Sequence, residues 1–92
     1  MAVKQQRMIT VVKLINKNIE MEYGINNTPL AFRINGKWLP VSQVLDIWKD
    51  TGIWWDGESE KTFYRVNTPE GSLFELYRDS VSRSWFLYRV YD

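Results

Sequence analysis

Three short runs near the end of the chain, KTFYRVNT, SLFELYRD and SWFLYRVYD, share one make-up: aromatic and β-branched residues with a Tyr-Arg pair in each. Segments of this length and composition suit the pleated, half-buried surface of a sheet. The breaks between them are turn chemistry. Pro69 presets φ at the first central position of TPEG and Gly71 closes the turn, while Asp79 to Ser84 is a polar interruption. Strands over 62–68, 72–78 and 85–91 then follow one another as a meander.

The same punctuation continues upstream. Asn35-Gly36 lies between apolar flanks in FRINGKW, and a type I′ hairpin turn needs positive φ at both central residues, which Asn and Gly tolerate best. A hairpin is predicted from 30–34 and the residues from Lys37 onward. Ile19 to Tyr23 alternates apolar and acidic, the period of a strand with one wet face. The stretch 8–15 is expected to be extended, within an N-terminal arm over 1–18. VSQVLDIWKDTG is ambiguous: Val41, Val44, Leu45 and Trp48 fit one helical face with Gly52 as cap, but Ile47 falls off that face. The strand reading is preferred.

Ninety-two residues, 45% apolar and 25% charged, allow one globular domain over 1–92. The aromatic share, with five Trp and five Tyr, supplies both core and binding surface. A net charge of +1 gives no bulk case for nucleic acid. Cysteine and histidine are both absent, which removes disulfides, thiolate chemistry, the commonest general base and the commonest metal ligand. The start MAVKQQRMIT has no apolar core of signal-peptide length, and no run approaches a membrane span. A cytoplasmic, non-membrane protein is expected.

Each Tyr-Arg pair sends a ring to one face of its strand and a cation to the other. With Thr68 facing Gly71, Arg65 lies opposite Phe74; with Arg78 facing Trp85, Phe74 lies opposite Arg89. One face then carries Tyr64, Val66, Leu73, Tyr77, Phe86, Tyr88 and Val90, with Glu75 as its only charge, and is assigned to the core. The other carries Phe63, Phe74, Leu76, Trp85 and Leu87 with Arg65, Arg78 and Arg89, each Arg across from a ring. Arginine stems covering apolar surface explain that face structurally. A platform stacking bases and meeting phosphates is the functional rival, and near-neutral charge favours the structural reading.

GIWWDGESEK sets Trp54 and Trp55 beside Asp56, Glu58 and Glu60. The carboxylate spacing is incomplete for a Ca²⁺ loop, so a solvated acidic loop beside a Trp is expected, and no metal or cofactor. Adjacent Trp residues in a strand face opposite ways, so at least one covers an edge or a partner. Without a nucleophile elbow or a phosphate-cradling Gly loop, Asp46, Glu75 and Asp92 form no recognisable acid–base site. No enzymatic activity is expected; a metal-dependent hydrolase centred on Asp56, Glu58 and Glu60 is the remote alternative.

The pattern W…GIWWDGE…KTFYRVNTPEGSLFELYRD…SWFLYRVYD, from Trp48 to Asp92, resembles a family of small bacterial proteins to which no activity is attached. It is also similar to the C-terminal module of ImuB-type proteins, inactive relatives of Y-family DNA polymerases. PLAFRINGKWLPVSQVLDIW resembles the upstream block of the stand-alone family. The resemblance implies a place in damage-induced, error-prone DNA synthesis, where ImuB-type proteins act as hubs. No catalytic residue transfers, because the polymerase carboxylates lie in a region this chain lacks.

The expectation is thus an all-β domain, a strongly curved antiparallel meander or small barrel of about six strands. Its expected function is non-catalytic: protein docking in DNA repair or translesion synthesis, with Trp54 or Trp55, Trp85 and neighbouring arginines as hot spot. The alternative is a single-stranded nucleic-acid binder using Phe63, Arg65, Phe74, Arg78, Trp85 and Arg89. A homodimer would hide whichever apolar face is left outside.

Overall fold

A computed structural model describes residues 12–50 and 59–91. In them seven strands form one antiparallel sheet: β1 (Val12–Tyr23), β2 (Pro29–Ile34), β3 (Lys37–Pro40), β4 (Gln43–Asp50), β5 (Lys61–Asn67), β6 (Leu73–Asp79) and β7 (Trp85–Tyr91). Their order across the sheet is β3-β2-β1-β7-β6-β5-β4, and the sheet curls into a half-barrel. The chain is therefore all-β, as its composition predicts. The described residues contain no α-helix, and none of their helical turns is long and apolar enough to cross a membrane.

The turns dictate this path. Asn35 and Gly36 take φ of 52° and 76°, as a type I′ turn requires, and join β2 to β3. Pro40 has no N–H to extend the ladder, so β3 stops there. The Val41 N–H still donates to the Leu30 carbonyl in β2, whereas the next N–H, from Ser42, donates to the Asn67 carbonyl in β5. The chain thus steps within two residues from one edge of the sheet to the other, which draws the two edges together. This step makes two strands of the one expected from Lys37 onward, and gives seven rather than about six. The ambiguous segment is strand over β4. The arm expected over 1–18 is, from Val12, the first half of β1, paired with β7.

The register between β5 and β6 differs from expectation by one residue. Thr68 closes its hairpin with Ser72, not Gly71: the Thr68 N–H donates to the Ser72 carbonyl, the Gly71 N–H donates to the Thr68 carbonyl, and Gly71 sits at φ 91°. Gly71 is the left-handed residue of a three-residue loop and takes no place in the ladder. Arg65 consequently faces Glu75 rather than Phe74, and Phe63 faces Tyr77. Between β6 and β7 the expected pair Arg78 and Trp85 is present, but the ladder shifts beyond Leu76 and Leu87, so that Glu75 faces Arg89. Tyr88 is the extra residue.

The first shift exchanges the faces of β6 and of β7 as far as Leu87, while Tyr64 and Val66 of β5 stay in the core as expected. The inner face holds the core, Phe32, Tyr64, Val66, Phe74, Leu76, Trp85 and Leu87, with Ile19, Met21, Leu39 and Val90 packed against it. Phe74 and Trp85, placed by strict alternation on the partner-facing side, are inside. Tyr77, Phe86 and Tyr88, placed in the core, lie on the other face. Val90 stays inside because the extra residue at Tyr88 resets the alternation.

Candidate functional site

The outer face of β4 to β7 is a second aromatic layer crossed by a row of charges. Trp48, Phe63, Tyr77 and Phe86 come from four successive strands. Trp48 stacks on Phe63 at 5.4 Å, Phe63 meets Tyr77 at 5.2 Å, and Tyr77 stacks on Phe86 at 4.8 Å. The Tyr88 ring, turned outward by the bulge, adds edge contacts to Phe63 and Tyr77 at 5.0 and 5.8 Å. Phe63 and Tyr77 are buried, while Trp48, Phe86 and Tyr88 remain partly exposed. Edge-on and offset rings at these separations attract beyond the area they bury.

Beside the rings runs Asp46, Arg65, Glu75 and Arg89, one residue from each strand, aligned by the ladder. Glu75 has 1% of its surface exposed, and a buried carboxylate is stable only with its lone pairs engaged. Arg65 donates to it from Nε at 3.2 Å and Nη2 at 3.1 Å, and the Tyr91 hydroxyl donates at 2.6 Å. Arg89 Nη1 stands 3.9 Å away. Arg65 also donates from Nη1 to Asp46 Oδ2 at 3.2 Å, and its guanidinium lies 5.5 Å from the Trp48 ring centre. Arg89 lies 4.9 Å from the Tyr88 ring.

The titrations follow from these contacts. The hydrogen bond to Glu75, then burial, holds the Tyr91 hydroxyl above the usual tyrosine range. Burial, then the neighbouring charge of Asp79, does the same to Tyr77. The Glu75 hydrogen bond is the main reason that the Arg65 guanidinium holds its proton more tightly than usual. Tyr77 in turn donates to Asn16 Oδ1 at 2.6 Å, where β1 bulges opposite Tyr88 and Asn16 takes a φ of 55°. The two bulges therefore lock the patch to β1.

A family model described as "Domain of unknown function (DUF6504)" matches residues 3–92. The chain belongs to the DUF6504 family. No curated protein and no solved structure matches it.

In this DUF6504 chain the residues singled out for binding separate into three groups. Phe63, Arg65 and Arg89 come together on the outer patch. Phe74 and Trp85 are in the core, and Arg78 pairs with Trp85 on that inner side. Trp54 and Trp55, with Asp56 and Glu58, lie outside the described residues. Among the described residues no group of three or more acidic side chains is placed to hold a metal ion. Sequence reasoning missed Trp48, Tyr88 and Tyr91 as members of the patch and Glu75 as its hub. The signal available was Glu75 itself, the lone charge on a face otherwise assigned to the core, with two arginines in the flanking strands.

Proposed function

We propose that this domain is a non-catalytic interaction module that docks a protein partner on its outer patch, as an accessory to DNA repair and translesion synthesis. One observation carries the docking half: the two arginines of the patch are engaged by Glu75 and Asp46 and flanked by partly exposed rings. Two cations and two carboxylates leave the row neutral. Phosphate recognition needs uncommitted positive charge, whereas preordered Arg beside half-buried aromatics is the chemistry of protein hot spots. The repair setting rests on the resemblance to ImuB-type C-terminal modules alone.

The test is binding of a purified Y-family polymerase from the same organism, compared with fluorescent single-stranded DNA across a salt series. The docking reading expects polymerase binding that falls at least tenfold in Phe86→Ala plus Arg89→Ala, with the far-ultraviolet spectrum unchanged. Polymerase binding indifferent to that pair removes the patch from the reading. Strong, salt-sensitive DNA binding lost in Arg65→Ala plus Arg89→Ala replaces docking with the nucleic-acid alternative.

A further inference from the structure

The two edges of the half-barrel are unlike. β3 is four residues long and ends in proline, which limits pairing along it. β4 is eight residues long, and among the described residues no strand pairs with its free side. It exposes Ile47 at 61% and Leu45 at 45%. Past the corner at Val41 and Ser42 the edges part again, and between β4 and the connection leading into β2 lies a cleft of about 560 Å³. Val44, Ile47 and Lys49 of β4, with Thr62 and Tyr64 of β5 beside them, line one wall, and Asn26 to Pro29 the other. Lys49 is the only charged residue in that lining.

We infer that this cleft is a strand-addition groove that takes an extended segment of a partner protein carrying an acidic residue two positions from an aliphatic one. The free edge supplies main-chain hydrogen bonds to an added strand, and alternate side chains supply specificity. Ile47 and Lys49, two apart, both line the cleft, so two side chains of one face of the incoming strand meet them. An aliphatic group covers Ile47 and Val44, and a carboxylate meets Lys49. Antiparallel entry reads acid-x-aliphatic from the N-terminus; parallel entry reads the reverse. A second copy fits less well. Two registers that keep the faces aligned set Asp46 opposite Asp46 or opposite Asp50, and like charges directly opposite are unfavourable; the register that sets Ile47 on itself places Leu45, not an acid, opposite Lys49. The bulge at Leu45, where the β4 ladder shifts, restricts indiscriminate pairing. The groove opens on the opposite side of the sheet from the arginine–aromatic patch; of that patch only Asp46 and Trp48, on the other face of β4, neighbour the added strand.

Panning a displayed library of random nonapeptides on the full chain tests this. Enriched peptides are expected to carry Asp or Glu two residues from Val, Ile or Leu, and the bound peptide slows amide exchange over 43–50. Lys49→Glu should weaken a selected peptide at least tenfold, and replacing the peptide's acid by Lys should restore binding to that variant. Phe86→Ala plus Arg89→Ala should leave peptide affinity unchanged, which separates this groove from the outer patch. No enrichment, enrichment without the acid, or protection elsewhere overturns the inference. So does concentration-dependent protection of 43–50 in the chain alone, which would make the occupant a second copy.

Discussion

Glu75 is where sequence and structure differ most in meaning. In strict alternation it is a stray acid on an apolar face; in the structure it is the buried centre to which Arg65, Tyr91 and Arg89 converge. Removing one member of a buried ionic set leaves the others desolvated and unpaired, at about 3–5 kcal/mol for a fully buried pair. Both arginines keep more than a third of their side chains in water, so they can relax outward. Glu75→Ala is therefore expected to cost about 2–3 kcal/mol, below that range, and Glu75→Gln less, because the amide oxygen still accepts from Tyr91. Urea unfolding midpoints of the two variants check both the size and the order.

At the scale of elements, turn positions were legible and registers were not. Asn35-Gly36 and TPEG announce their hairpins through residues that tolerate particular dihedral angles, a local property. A register depends on how many residues a turn removes from the ladder and on where bulges fall. Thr68-Pro69-Glu70-Gly71 accommodates two or three loop residues with the same letters, and nothing in YRVYD marks Tyr88 as the residue without its own partner. One residue of slip at the β5–β6 hairpin and one bulge in β7 were enough to turn Tyr77, Phe86 and Tyr88 of the predicted core outward. Gly71 anchors the longer loop, and a Cβ there meets no atom within 4 Å, so the cost of Gly71→Ala is backbone strain alone. That is about 1–2 kcal/mol for a non-glycine residue at positive φ. Equilibrium unfolding should show this loss with no change in the slope against denaturant. A Gly71→Asn variant should lose less, because Asn tolerates that region.

Taken whole, the molecule was legible in class and curvature, since short aromatic strands with polar turns admit little else. The candidate site was half legible: Phe63, Arg65 and Arg89 were named, but the partners that order them were not, because those partners depend on register. Two predictions belong to this scale. Tyr64 and Tyr77, chiefly through burial, and Tyr91, chiefly through Glu75, all hold their protons above the usual tyrosine range. The unfolded chain releases these protons near pH 10 and the folded chain later. Their contribution is complete below about pH 10 and is lost as pH rises through the folded values. Denaturant midpoints should fall steeply from pH 10 upward, and Tyr91→Phe should make that fall shallower. The second concerns β7, which lies between β1 and β6 at the middle of the sheet. Deleting residues 85–92 removes two ladders together with Trp85 and Leu87 from the core. The truncated chain should show no cooperative thermal transition.

The central place of β7 also has a kinetic side. β1 is made first and β7 last of the seven, yet Val12 pairs with Tyr91, so the first half of β1 stays unpaired until the rest of the sheet has been synthesised. Closing so long a loop before any reward is what slows sheet proteins. Refolding should fall in the millisecond-to-second range typical of non-local β topologies. Until it is complete, β1 exposes Ile19, which packs against the finished core, together with an open strand edge, the surface by which partly made sheets associate.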